Sequence, residues 1–161
     1  MFKVSFKESP KCPSKLVTKM GNETTVMFKG TVSLPPLWKH IPSEVVGWIE
    51  NQRHIEGYED IAKNQLIIYS KGVSKCSPND HYDTILGERL AESRAKYFIY
   101  KFIHDLCSRL ADYYEKVLYG NSIPIVDTPN EGLTADISKY DKLCRREKQH
   151  QLELLNTTVN G

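Results

Sequence analysis

No stretch of this 161-residue chain contains a long apolar run. Crossing a bilayer takes roughly 20 consecutive apolar residues, so a membrane-spanning helix is excluded. The opening Met1-Phe2-Lys3-Val4-Ser5-Phe6-Lys7 has neither the unbroken apolar segment nor the small-residue cleavage site of a secretory signal, and the chain is expected to stay in the cytoplasm. It also lacks a dominant charge: 22 basic against 20 acidic residues leave +2. Proteins that bind nucleic-acid backbones usually carry a basic face, so neither DNA nor RNA is an expected partner, and any anion site must be local. Cysteine is sparse. Cys12, Cys76, Cys107 and Cys144 form no C-x-x-C pair and have no histidine at finger-like spacing, which argues against a structural zinc site. Cys107 and Cys144 fall among apolar neighbours in helical segments and read as small buried hydrophobes.

Catalytic motifs are missing as well. There is no G-x-S-x-G, no phosphate-binding G-x-x-x-x-G-K-[ST], no H-E-x-x-H and no G-x-G-x-x-G. The nearest cluster is Asp80-His81-Tyr82-Asp83. It reads either as an acid–base or metal group, or as acids complementing a helix N-terminus. No cofactor is implied, and the chain reads as a non-catalytic binding protein.

What is present is a change of period halfway along. Residues 2–7 alternate, with Phe2, Val4 and Phe6 on one side, as in a half-buried strand. Lys15 to Lys19 follows as a second strand, Gly21-Asn22 as a turn, Thr24 to Leu34 as a third strand, and Gln65 to Cys76 as a fourth in which Gly72 marks a bulge or bend. Between the last two lies an insert, residues 35–64. Pro35-Pro36 ends the strand, Ser43 caps a short helix over Glu44 to Arg53, and Gly57 closes the excursion. Trp38 and Trp48 in this insert must pack on their own sheet or on a neighbouring subunit.

From residue 77 the pattern is helical. Ser77-Pro78-Asn79-Asp80 is a helix start, with Asp83 as a later cap, and no proline interrupts the chain to Tyr119. Ala95, Phe98, Phe102, Leu106, Leu110, Tyr113 and Val117 step by three or four along one face. Such a helix is roughly 55 Å long, more than a small sheet covers. A homo-oligomer with helical subunit contacts is therefore expected. Gly120 is placed as a left-handed cap, a loop runs from Ser122 to Leu133, and Thr134 caps a second helix to about Asn156. Its stripe reads Ile137, Tyr140, Cys144, then a polar middle, then Leu152 and Leu155, and the last five residues fray. The expected fold is α+β in one domain over 1–161: an antiparallel sheet with its insert (1–76), then a long two-helix hairpin (77–156).

Two places invite an anion. Arg94 borders the apolar stripe of the first helix, where it pairs with a glutamate, covers core with its stem, or meets a phosphate. In the second helix Arg145, Arg146, Lys148, Gln149 and His150 break the stripe. This is either a solvated basic face or a patch in which guanidinium groups hold phosphate while Gln149 reads a base edge. Tyr119, Tyr82 and Asn130 can stack on or hydrogen-bond a base.

The run Lys75-Cys76-Ser77-Pro78-Asn79-Asp80-His81-Tyr82-Asp83, followed by Gly87, Leu90-Ala91 and Arg94, resembles a signature of the phage Thoeris anti-defence proteins of the first described type. The order of sheet then helical hairpin is similar too. The resemblance implies a sponge in an infected bacterial cell, binding nucleotide second messengers such as glycocyclic ADP-ribose or cyclic trinucleotides without cleaving them. It would thereby block Thoeris or CBASS signalling, as a dimer or a hexamer. It implies Arg94 as the first-helix arginine, Tyr119 as the aromatic, Asn130 as the amide, and Arg145 or Arg146 on the second helix. The chain departs from the pattern where a further arginine is replaced by Gln149 or His150, and in its longer insert. The competing expectations are a phage protein–protein module that inhibits a host enzyme or serves a structural role, and an enzyme acting through Asp80, His81 and Asp83.

Overall fold

The computed structural model describes residues 3–6, 15–33, 43–52, 55–61, 65–75, 84–120 and 130–159. In chain order these form β1 (Lys3–Ser5), β2 (Lys15–Met20), β3 (Glu23–Ser33), α1 (Ser43–Glu50), β4 (Ile55–Ile61), β5 (Gln65–Lys75), α2 (Thr84–Gly120) and α3 (Asn130–Val159). The fold is thus an antiparallel sheet followed by two long helices, as the change of period foretells.

The sheet grows from the β2–β3 hairpin. Its two-residue turn needs positive φ, which Gly21 supplies at +58°, and Met20 pairs with Glu23 across it. The β-branched run of β3 makes it the central strand. β5 pairs with all of its length on one edge, while β2 and β1 share the other, opposite Glu23–Phe28 and Thr31–Ser33 respectively. β4 lies outside β5, so the sheet has five strands rather than the four the pattern suggests. Gly57 does not close the insert. It sits inside β4 beside a register shift between Ile55 and Gly57, where the bulge absorbs it. Gly72 marks no bulge: the β3–β5 register runs straight through Val26↔Gly72.

Gly72 is required for a different reason. A Cβ there would lie 1.9 Å from the Ala91 carbonyl oxygen and 2.7 Å from the Ala95 nitrogen, so the backbone of α2 rests directly on β5. Hydroxyl donors pin this contact, Ser70 Oγ to the Ala95 carbonyl at 2.8 Å and Ser74 Oγ to the Gly87 carbonyl at 2.7 Å. The inward row of β3, including Val26, Phe28 and Val32, packs with Ile68 against Ala91, Ala95, Ile99 and Phe102. One cluster of buried residues joins the sheet, α1 and both long helices. Ile99, Ile103 and Leu106 are fully buried in it; each contributes roughly 1.5–3 kcal/mol by leaving water.

α1 packs on its own chain. Val45 and Ile49 are buried, Trp48 stacks on Phe102 with centroids 5.5 Å apart, and the Arg109 guanidinium lies 4.8 Å above the indole. The helix ends at Glu50, before the expected Arg53, where Asn51 Nδ2 and Gln52 Nε2 donate to the carbonyls of Gly47 and Trp48. Trp38 lies outside the described residues, as do Cys12, Cys76, Asp80-His81-Tyr82-Asp83 and residues 121–129, where most of the expected loop falls.

α2 is buried on two faces, which its single expected stripe did not anticipate. Ile99, Ile103 and Cys107 join Ala95, Phe102, Leu106 and Leu110 because the helix is wedged between sheet and α3. The helical assignment runs through Gly120, which is not a left-handed cap. α3 begins at Asn130 rather than Thr134, since burying Leu133 against α2 outweighs the poor helix propensity of Gly132. It runs to Val159, so three of the five residues expected to fray are helical.

The stripe of α3 is shifted from expectation. The buried positions are Leu133, Asp136, Tyr140, Gln151 and Leu154, while Leu152 and Leu155 are 56% and 42% exposed. Steps of three and four from Tyr140 pass through Cys144, Glu147, Gln151 and Leu154. The seam therefore does not break at the charged run; it continues there with polar residues.

Candidate functional site: a polar cleft between the long helices

Where the seam turns polar, α2 and α3 leave an open cleft of about 590 Å³. Helical spacing builds its walls: Arg89, Glu92, Ser93 and Lys96 share one side of α2, and Arg146, Glu147, Gln149, His150 and Glu153 come from α3. Ser93 bridges the two helices. Its hydroxyl donates to Glu147 Oε2 at 2.7 Å and approaches the Glu147 carbonyl at 3.3 Å. Arg89 and Lys96 sit one turn to either side.

The lining carries three acids, and each is engaged within the chain. Glu92 is bonded to Lys15 of β2 at 3.0 Å and to Lys96 at 3.2 Å. Burial alone would raise its carboxyl, but the bond from Lys15 and the charge of Lys96 outweigh this and hold it below the ordinary value. Lys15, which also reaches Glu88 at 3.2 Å, is raised by its bond to Glu92 in spite of burial. Glu147 accepts from Ser93, and Glu153 accepts from Gln149 Nε2 at 3.2 Å. The two guanidinium groups differ. Among the described residues neither Arg89 nor Arg146 forms an ion pair, although both line the cleft from opposite helices. Burial and the charge of Glu147 raise the Tyr100 phenol while Arg146 acts against them, which places both α3 charges within electrostatic reach of that ring.

Arg146, Gln149 and His150 thus come together as the sequence suggests. Arg145 does not join them: its side chain is 80% exposed and its Nε binds Asp141 at 3.0 Å, one turn back on the outer face of α3. Arg94 is also elsewhere. Its Nη1 donates to the Val73 carbonyl at 2.6 Å, and burial lowers its pKa, so the guanidinium ties α2 to β5 and does not line the cleft. Tyr119 lies in the last turn of α2 and Asn130 opens α3, at the far end of the hairpin. Tyr119 lies 23 positions along α2 from Lys96 in the cleft wall, roughly 35 Å of helix, so one chain does not bring Tyr119 and Asn130 to the cleft.

Arg89 and Lys96 are the cleft cations that reading by apolar stripe passes over. The available signal is the polar series Arg89, Glu92, Ser93, Lys96, which repeats at helical spacing on the second face of α2. Of the two thiols among the described residues, burial pushes Cys107 up to about 12 and Cys144 up to about 11, which disfavours the thiolate at both. Among the described residues no group of His, Cys, Asp and Glu is arranged to hold a metal, and no helix is long and apolar enough to cross a membrane.

Comparison with protein-family models, curated proteins and solved structures finds no match for this chain.

Proposed function

We propose that the α2–α3 cleft captures a small anionic nucleotide and holds it intact, making the protein a sponge for nucleotide second messengers. One observation carries this reading. Two arginines from different helices line one cleft with no carboxylate partner among the described residues, while the acids around them are already engaged. Such groups suit phosphate oxygens, which accept two parallel N–H bonds. The volume falls within the range of about 300–1,000 Å³ common for ligand pockets. His150, Gln149 and the carboxylates add acceptors and donors for hydroxyls and base edges. Sequestration needs only affinity, and no positioned nucleophile. The resemblance to the Thoeris anti-defence proteins points the same way, toward glycocyclic ADP-ribose or a cyclic trinucleotide as the ligand and evasion of bacterial immune signalling as the purpose.

The test is capture and release. The purified protein is incubated with glycocyclic ADP-ribose or cyclic tri-adenylate and filtered, and the retained fraction is denatured by heat. Release of intact ligand is the expected result; altered ligand would make the protein an enzyme, and no retention would remove the sponge reading. Each charge-assisted bond is worth about 1.5–3 kcal/mol. Arg89→Ala and Arg146→Ala should therefore each weaken retention roughly ten- to hundredfold.

A second reading, a protein–protein module, is favoured by the exposure of Ile85 (64%) and Leu152 (56%) at the same end of the hairpin. Under that reading nucleotides are not retained, and Leu152→Glu abolishes binding of the protein partner.

A further inference from the structure

Among the described residues β2 is an edge strand without the usual protection of an edge. Among those residues it pairs only with β3, and no described strand lies on its other side. It contains no proline and no bulge. Its outward side chains are Leu16, Thr18 and Met20, with Leu16 64% and Met20 75% exposed. Charged side chains commonly keep such an edge from pairing with another chain. Here Lys15 and Lys19 are turned toward α2, where Glu88 and Glu92 neutralise them at 3.0–3.6 Å.

The open edge is also self-complementary. Met20 and Glu23 close a two-residue hairpin and so form a hydrogen-bonded pair. Alternation then assigns the main-chain groups of Thr18 and Leu16 to β3, and those of Lys15, Val17 and Lys19 to the free side. A second β2 laid antiparallel about a twofold axis at Thr18 sets Val17 opposite Lys19 in both directions. These are the residues whose N–H and C=O groups point away from β3. On the outer face the same register sets Leu16 against Met20 twice and Thr18 against Thr18. Shifting it by one residue would oppose side chains that point to different faces.

We infer that β2 is an interface between two copies of this chain, pairing antiparallel through Lys15–Met20 with Thr18 on the twofold axis. Two sheets thereby become one continuous sheet. The inference is independent of what the cleft binds. It also places the subunit contact on the sheet, not on the long helices, and Lys15 links that contact to Glu92 in the wall of the cleft.

Sedimentation equilibrium at tens of micromolar should give a dimer of the 18.5 kDa chain. Thr18→Lys sets two like charges side by side on the axis and should shift the species to monomer with an unchanged far-ultraviolet spectrum. Thr18→Cys brings two thiols to disulfide distance, so mild oxidation should cross-link it well above the background set by the four native cysteines. Leu16→Cys should not link to itself but should link to Met20→Cys when the two are mixed. A monomeric unsubstituted chain, or an oligomer in which Thr18→Cys fails to cross-link, overturns the interface; if Thr18→Lys does not fold, the cross-linking pattern decides.

Discussion

The two halves of the helical hairpin use the same geometry for opposite ends. Toward the connection, Ile103, Leu106, Cys107 and Leu110 meet Leu133 and Tyr140 in a seam sealed by apolar side chains. Toward the other end the seam positions pass to Ser93, Glu147 and Gln151, and a polar cleft opens beside the Ser93–Glu147 bond. Helical phase is continuous across both halves; only the chemistry of the seam changes. A closed seam supplies stability. An open one leaves the space that the proposed ligand would fill, backed by the sheet contact behind α2 and the sealed half below.

That contrast can be strained from several sides. The largest effect is expected behind the cleft, where Gly72→Ala drives a methyl group into the α2 backbone. It should cost about 3 kcal/mol or more, lowering the melting temperature by about 10 °C. In the sealed half, Leu106→Ala should cost about 3 kcal/mol, read from urea unfolding. In the open half the sign should reverse. Gln151 is 7% exposed and its Nε2 has no hydrogen-bond partner among the described residues. Gln151→Leu should therefore stabilise the protein by about 1 kcal/mol in the same assay. Equal losses in both halves would erase the distinction.

The smallest effect concerns pH. Glu92 is held below its ordinary value of 4.5, so its contribution is present above that value and is lost as the pH falls through the lower folded value. The carboxylate is partly exposed, so the contribution should stay well under about 1 kcal/mol. Glu92→Gln should flatten the acid arm of the stability profile by that amount, while leaving stability near neutrality reduced by the same small increment.

Much of the architecture was legible in the chain. β1, β2, β3, β5 and α2 follow from alternation, turn chemistry and a long uninterrupted helical stretch. β4 was hidden because Ile55-Glu56-Gly57-Tyr58-Glu59-Asp60-Ile61 mixes acids and glycine, and only pairing with β5 makes it a strand. The start of α3 was hidden by Gly132, whose low propensity is overridden by the burial of Leu133. At the site, the basic run of α3 is legible because it interrupts an apolar pattern. Arg89 and Lys96 are not, since they interrupt nothing. Arg94 looked like a ligand residue because a sequence cannot show that a main-chain carbonyl of β5 waits 2.6 Å from its guanidinium.

Equilibrium dialysis of cyclic tri-adenylate and of glycocyclic ADP-ribose, run in parallel on the unsubstituted chain, the Arg89→Ala/Arg146→Ala double variant and Arg145→Ala, bears most directly on the cleft. Capture of either nucleotide by the unsubstituted chain and by Arg145→Ala, with loss in the double variant, is the expected result. Equal capture by all three, or loss in Arg145→Ala alone, would contradict it.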